Sequence, residues 1–163
     1  MTAALVIDDD TALLASLEAS ATLAGLDVVT ASTWDEGLAL FQILSPRLVI
    51  ADYNMPGSRN GLRLLDRIRQ LAPPSQLVLV SGYLDEEDAK NILNLGVVDR
   101  FLTKGTAVET GAAILDEVRR AADGGDDPTD WVAYAQAYLE AESLSADALD
   151  RLDSGLAKKV AAK

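Results

Sequence analysis

Apolar runs rich in Val, Ile and Leu recur at 3–7, 27–31, 47–51, 76–80 and 98–102, and every gap between them carries helical periodicity. Continuous rather than alternating apolarity implies strands buried on both faces, which is the habit of a parallel sheet covered by helices on each side. The expected fold is therefore α/β, with five βα units complete by about residue 122. At 163 residues, 49% of them hydrophobic and 25% charged, the chain holds enough apolar material for such a core.

The helices read from their stripes and ends. Thr33 and Glu36 have capping-box spacing before Trp34, Leu38 and Phe41. Leu62, Leu65 and Ile68 point inward from the third helix, leaving Arg63, Arg67 and Arg69 for solvent. Four acids, Asp85 to Asp88, open the fourth helix at about 85–95, where they suit the positive end of its dipole. The fifth helix, at roughly 106–122, is read with Val108, Ala112, Leu115 and Val118 inward.

Ligands of an open parallel sheet bind outside the carboxyl ends of its strands. Here those ends carry Asp8-Asp9-Asp10, Asp52, Ser81 and Lys104. Each has an ordinary explanation alone: helix capping for the acid triplet, turn formation for Asp52 and Ser81, a solvated strand end for Lys104. Together they do not, because carboxylates gathered at one edge repel unless a cation or the lysine neutralises them. An all-oxygen set of Asp8, Asp9 and Asp52, with the main-chain carbonyl of Asn54, suits Mg²⁺. Lys104 adds a point charge for an anion and Ser81 a hydroxyl donor. The chemistry this favours is phosphoryl transfer to an aspartate, with Asp52 as nucleophile.

Composition removes the main competitors. With no histidine and no cysteine, Ser-His-Asp catalysis, thiolate metal sites and disulfides are excluded. Twenty-six acids against 14 bases give a net charge of −12, which repels nucleic acid and anionic membranes. No apolar run approaches the roughly 20 residues needed to span a bilayer. A cytoplasmic protein is expected.

The stretches LVIDDD (5–10), LVIADYNMPG (48–57), LVLVSGY (77–83) and FLTK (101–104) resemble, in order and spacing, the receiver domains of two-component response regulators. The resemblance covers about residues 3–122. It implies a flavodoxin-like, doubly wound five-stranded parallel sheet of order 2-1-3-4-5, and a Mg²⁺-dependent transfer to Asp52 from a histidine kinase or histidine phosphotransfer protein. It further implies Asp8 and Asp9 as the metal-holding acids, with the Asn54 carbonyl completing the set. Lys104 would be the phosphate-binding lysine, Ser81 the switch hydroxyl and Phe101 the switch aromatic. Asn54 and Tyr83 would tune dephosphorylation. The output would pass through the fourth helix, fifth strand and fifth helix, the α4-β5-α5 face, to a downstream protein or a homodimer. Such a domain is a signalling switch rather than a turnover enzyme. Two features depart from the common pattern: Gly105 stands where proline is usual, and the loop between Pro56 and Gly61 is one residue longer. The alternatives are a pseudo-receiver that is never phosphorylated and acts only as an interaction module, and an aspartyl-phosphate hydrolase, for which Asn54 offers no acid or base.

Ala122-Asp-Gly-Gly-Asp-Asp-Pro128 breaks the pattern. The expected organisation is a receiver at 1–122, a linker at 123–128 and a helical extension at 129–163, or the start of a truncated output region. Trp131, Tyr134 and Tyr138 share one helical face there, and Leu149, Leu152, Leu156 and Val160 share another. Both stripes need a partner surface, on the receiver or on a second copy.

Overall fold

The structure, a computed structural model, describes residues 4–57, 59–71, 75–123 and 147–162. Its elements alternate as β1 (Ala4–Ile7), α1 (Thr11–Leu23), β2 (Val28–Ala31), α2 (Trp34–Leu44), β3 (Leu48–Asp52), α3 (Gly61–Leu71), β4 (Gln76–Ser81), α4 (Glu86–Asn94), β5 (Arg100–Thr103) and α5 (Ala107–Ala122). All pairings are parallel, in the order β2-β1-β3-β4-β5. The parallel sheet expected from the apolar runs is the one observed, in the doubly wound order that the resemblance implies.

Side-chain alternation splits the core in two. Leu5, Ile7, Val49, Ala51, Leu77 and Leu79 face Phe41 of α2, Leu65 and Ile68 of α3 and Ile92 of α4. Ala4, Val6, Leu48, Ile50, Val78 and Val80 face Leu14 and Leu17 of α1 and Ile114 and Val118 of α5. β1 and β3 are wholly buried and β4 is buried beyond Gln76, whereas β2 and β5 at the edges are mostly half-exposed.

A further helix runs over residues 147–161. Leu149 and Leu156 are buried in the same cluster as α2, α3 and α4, and Leu152 and Val160 pack against it. The stripe read from sequence thus finds its partner on the sheet's own helices. The expected aromatic helix with Trp131, Tyr134 and Tyr138, and nearly all of the expected linker, lie outside the described residues.

Three local expectations are corrected. Arg69 is fully buried, not solvated: its guanidinium donates to the carbonyls of Val97 (3.1 Å) and Ser75 (3.2 Å) and to Asp99 (2.7 Å). These acceptors compensate the charge that burial would otherwise penalise. In α5, Val108 is 82% exposed and Ala112 is exposed, and the buried stripe is Thr110, Ile114, Glu117, Val118 and Ala121. Polar members are tolerated there because Glu117 pairs with Arg100 (3.1 Å) and Thr110 accepts from Gly105 N–H (3.1 Å). The capping box of α2 is half formed. Thr33 Oγ1 accepts from Glu36 N–H at 3.1 Å, but the Glu36 carboxylate takes Ser32 N–H instead of that of Thr33.

Candidate functional site

The strand register builds the site. Pairing of Ile7 with Ala51 sets Asp8, the next residue, level with Asp52 at the end of β3. Pairing of Asp52 with Val80, and of Ser81 with Thr103, carries Ser81 and then Lys104 one step further along adjacent strand ends. Because β2 and β3 lie on opposite sides of β1, the gap between β1 and β3 is the topological switch point, where ligands of such sheets bind. Asp8 and Asp52 stand there.

The acid triplet divides its labour. Asp10 caps α1, accepting from Leu13 N–H at 3.1 Å. Asp8 is buried and accepts Asp10 N–H at 2.9 Å through Oδ1, leaving Oδ2 for the site. Oxygens of Asp8, Asp9 and Asp52 lie within 4.8 Å of one another. Into this group Lys104 extends Nζ, 2.9 Å from Asp8 Oδ2 and 3.3 Å from Asp52 Oδ2. A set made only of carboxylate oxygens, one of them on an exposed residue, fits a hard divalent cation that keeps several waters.

The electrostatics follow from crowding. Burial, then the neighbouring Asp8, lifts the Asp52 carboxyl to about 6 against the pull of Lys104. Burial and Asp8 likewise raise Asp9. Burial alone would lower Lys104, but its bonds to Asp8 and Asp52 hold it above its usual value. The site carries more negative charge than one lysine compensates.

Ser81 is buried at the end of β4, and its Oγ accepts from Tyr83 N–H at 3.3 Å. Its carbonyl receives Lys104 N–H at 2.9 Å, which ties the two loops together. Tyr83, 43% exposed, stands two residues after Ser81, and Asn54, also exposed, two residues after Asp52. Phe101 is half-buried and packs against the core cluster of α2, α3 and α4. Among the described residues no peptide bond is cis. The longer β3–α3 loop is anchored outward: Arg59 stacks 4.0 Å over the Trp34 ring and pairs with Asp35 at 3.0 Å.

Two features escaped the sequence reading. Gly61 begins α3 so close to β3 that a Cβ would overlap the Asp52 carbonyl, and its N–H bonds Tyr53 O at 2.9 Å. Tyr53, next to Asp52, is buried and donates its hydroxyl to Asp153 of the C-terminal helix at 3.1 Å. Nothing in the sequence links positions 100 residues apart, although a glycine placed after a turn-rich stretch was visible as a helix start.

The response regulator receiver domain family matches residues 4–116. The chain belongs to that family. Relatives of this receiver include the DNA-binding transcriptional regulator NtrC of Klebsiella pneumoniae, 29% identical over 113 residues, 69% of this chain and 24% of that protein. The nitrate/nitrite response regulator protein NarL of Escherichia coli is 34% identical over 122 residues, 74% of this chain and 54% of the relative. The receiver thus spans about half or less of these two relatives. Among solved structures, a CheY-like receiver domain protein from Methanospirillum hungatei superposes with a TM-score of 0.60 at 26% identity, covering 77% of this chain and 99% of that one. Receiver domains are signalling modules that typically bind Mg²⁺. No helix among the described residues is long and apolar enough to cross a membrane.

Proposed function

We propose that this receiver accepts a phosphoryl group on Asp52 from the phosphohistidine of a kinase or phosphotransfer protein. The observation that carries the reading is Lys104 Nζ, which reaches both Asp8 and Asp52 across the switch point of the sheet. An Asp52 oxygen forms the new O–P bond as the N–P bond breaks, and the electron pair returns to the donor imidazole. Asp8, Asp9 and Asp52, with the Asn54 carbonyl, would hold Mg²⁺, which when bound supplies charge compensation to the transferring oxygens. Lys104 moves from the carboxylates to one phosphoryl oxygen, and the Ser81 hydroxyl donates to another. Asn54 and Tyr83 border the path by which water attacks the acyl phosphate and set its lifetime.

The added charge of about −1.5 to −2 draws Ser81 and Lys104 inward, and the β4–α4 and β5–α5 loops follow. Phe101, half-buried on β5, takes the space so created. The α4-β5-α5 face then differs between two states, and a downstream protein or second copy that prefers one of them reads the signal. In this account residues 1–122 form the phosphoaccepting unit, 123–128 connect it to the extension at 129–163, and the protein works in the cytoplasm as a switch without turnover of a separate substrate.

The test is intact-protein mass after incubation with Mg²⁺ and acetyl phosphate. The reading expects one phosphoryl adduct, labile to hydroxylamine and missing from Asp52→Asn. An undiminished adduct in that variant, or none in the wild type with both acetyl phosphate and a phosphohistidine donor, would overturn it.

A further inference from the structure

The helix over 147–161 is fastened to the two loops that flank Asp52. Near its middle, the Asp153 carboxylate is buried and accepts three bonds: from Tyr53 Oη at 3.1 Å, Asn60 Nδ2 at 2.6 Å and Arg63 Nε at 2.7 Å. Tyr53 directly follows Asp52, and Asn60 caps α3, accepting from Arg63 N–H at 3.0 Å. Asp150 adds a second carboxylate on Arg63 at 2.6 Å. Near the far end of the helix, Lys159 Nζ bridges Asp85 (2.8 Å) and Asp88 (2.6 Å), the two residues of the capping box that starts α4. Between these fastenings Leu149, Leu152, Leu156 and Val160 close over the core beside α3 and α4.

We infer that this helix is a detachable latch on the α3–α4 side of the receiver, and that its docking and the phosphorylation of Asp52 oppose each other. The inference rests on the phosphoacceptor reading of Asp52. In the docked arrangement Ser81 Oγ is turned to Tyr83 N–H, and Ser81 lies four residues before Asp85, the first of the two acids that Lys159 clamps. Turning Ser81 toward a phosphoryl oxygen on Asp52 pulls on this short connection and displaces the first turn of α4. Asp85 and Asp88 then leave Lys159, while a shift of Tyr53 disturbs the bonds to Asp153. The helix makes its contacts to the arrangement without phosphate, so by reciprocity whatever frees it must favour phosphorylation by the same factor. Apolar contacts alone would fasten the helix to the core without touching the loops around Asp52. Here the buried carboxylate and the lysine clamp address the residues that move with the site.

Hydrogen exchange measured by mass spectrometry on the full chain tests the coupling, with intact mass recorded on the same samples. Mg²⁺ with acetyl phosphate, and separately Mg²⁺ with beryllofluoride, should speed exchange of amides in 149–161 about tenfold or more, and do nothing in Asp52→Asn. Lys159→Glu, which repels Asp85 and Asp88 from a half-exposed position, should free the helix without any phosphodonor and raise the steady-state adduct several-fold. An adduct with unchanged or slowed exchange in 149–161 overturns the latch while leaving the receiver reading intact. So does a Lys159→Glu protein whose helix is free but whose adduct level is unchanged. Absence of both adduct and beryllofluoride loading would sink the receiver reading, and the latch with it.

Discussion

The ammonium of Lys104 lies 3.3 Å from the Asp52 carboxylate, across two strand ends that are not neighbours in the sheet. It also lies 2.9 Å from Asp8, so one flexible side chain from the loop after β5 spans the site and reports its charge to β1. That bridge makes the acidic group compatible with folding before any cation or phosphoryl group arrives.

Replacing it should therefore cost stability as well as activity. Lys104→Met leaves Asp8 and Asp52 facing each other, with an expected loss of about 1–3 kcal/mol at neutral pH in chelator. Excess Mg²⁺ should restore much of that loss, since it binds the folded site preferentially. Phosphorylation by acetyl phosphate should slow by about 100-fold. Urea unfolding with and without Mg²⁺, beside adduct kinetics, measures both.

Asp52 itself opposes folding when ionised. Its carboxyl is raised from the usual 3.8 to about 6, so the native state binds more protons than the unfolded state between those values. Stability of the metal-free protein must then fall as pH rises from about 4 to about 6, and stay lower above. Asp52→Asn removes this contribution. The variant should be more stable than wild type at pH 7.5 in chelator by about 1–3 kcal/mol, and the difference should shrink toward pH 4. Denaturant melts of both proteins across that range check the sign.

Gly61 faces a different constraint, since a methyl group there overlaps the main-chain carbonyl of Asp52 and neither neighbour is a flexible tip. Gly61→Ala should destabilise by about 1–3 kcal/mol. Because the displaced atom belongs to Asp52, the rate of adduct formation should fall too, whereas Gly155→Ala, with open space at its Cβ, should leave both unchanged.

Arg69 is the most deeply buried charged residue among those described. Arg69→Met takes the donor from the Val97 and Ser75 carbonyls and leaves Asp99 to the Leu77 N–H, with an expected cost of about 2–4 kcal/mol. Arg69→Lys should recover little, because an ammonium cannot match the planar fork that serves these acceptors. Thermal unfolding of the two variants decides this.

The sheet and the clustering of polar residues at one of its edges were legible because both rest on short-range patterns. Apolar runs two faces deep specify parallel strands, and Asp8, Asp52, Ser81 and Lys104 each stand just where such a run ends. Arg69 was misread since the helical stripe rule sends arginine outward, and its acceptors come from Ser75, Val97 and Asp99 beyond the helix itself. Val108 was misread because the buried stripe of α5 begins at Thr110, a polar residue satisfied by Gly105 N–H. For the C-terminal helix the apolar stripe was readable, but not that Asp153 meets Tyr53, Asn60 and Arg63, because only docking brings them together.

The central claim is that Asp52 takes the phosphoryl group, and reduction of the acyl phosphate tests it at single-residue resolution. Borohydride converts a phosphorylated aspartate to homoserine, which peptide mass spectrometry then locates. After treatment with Mg²⁺ and acetyl phosphate, the account predicts homoserine in place of Asp52 and an intact Asp8, Asp9 and Asp10. Homoserine at any of those three, with Asp52 unmodified, would contradict it.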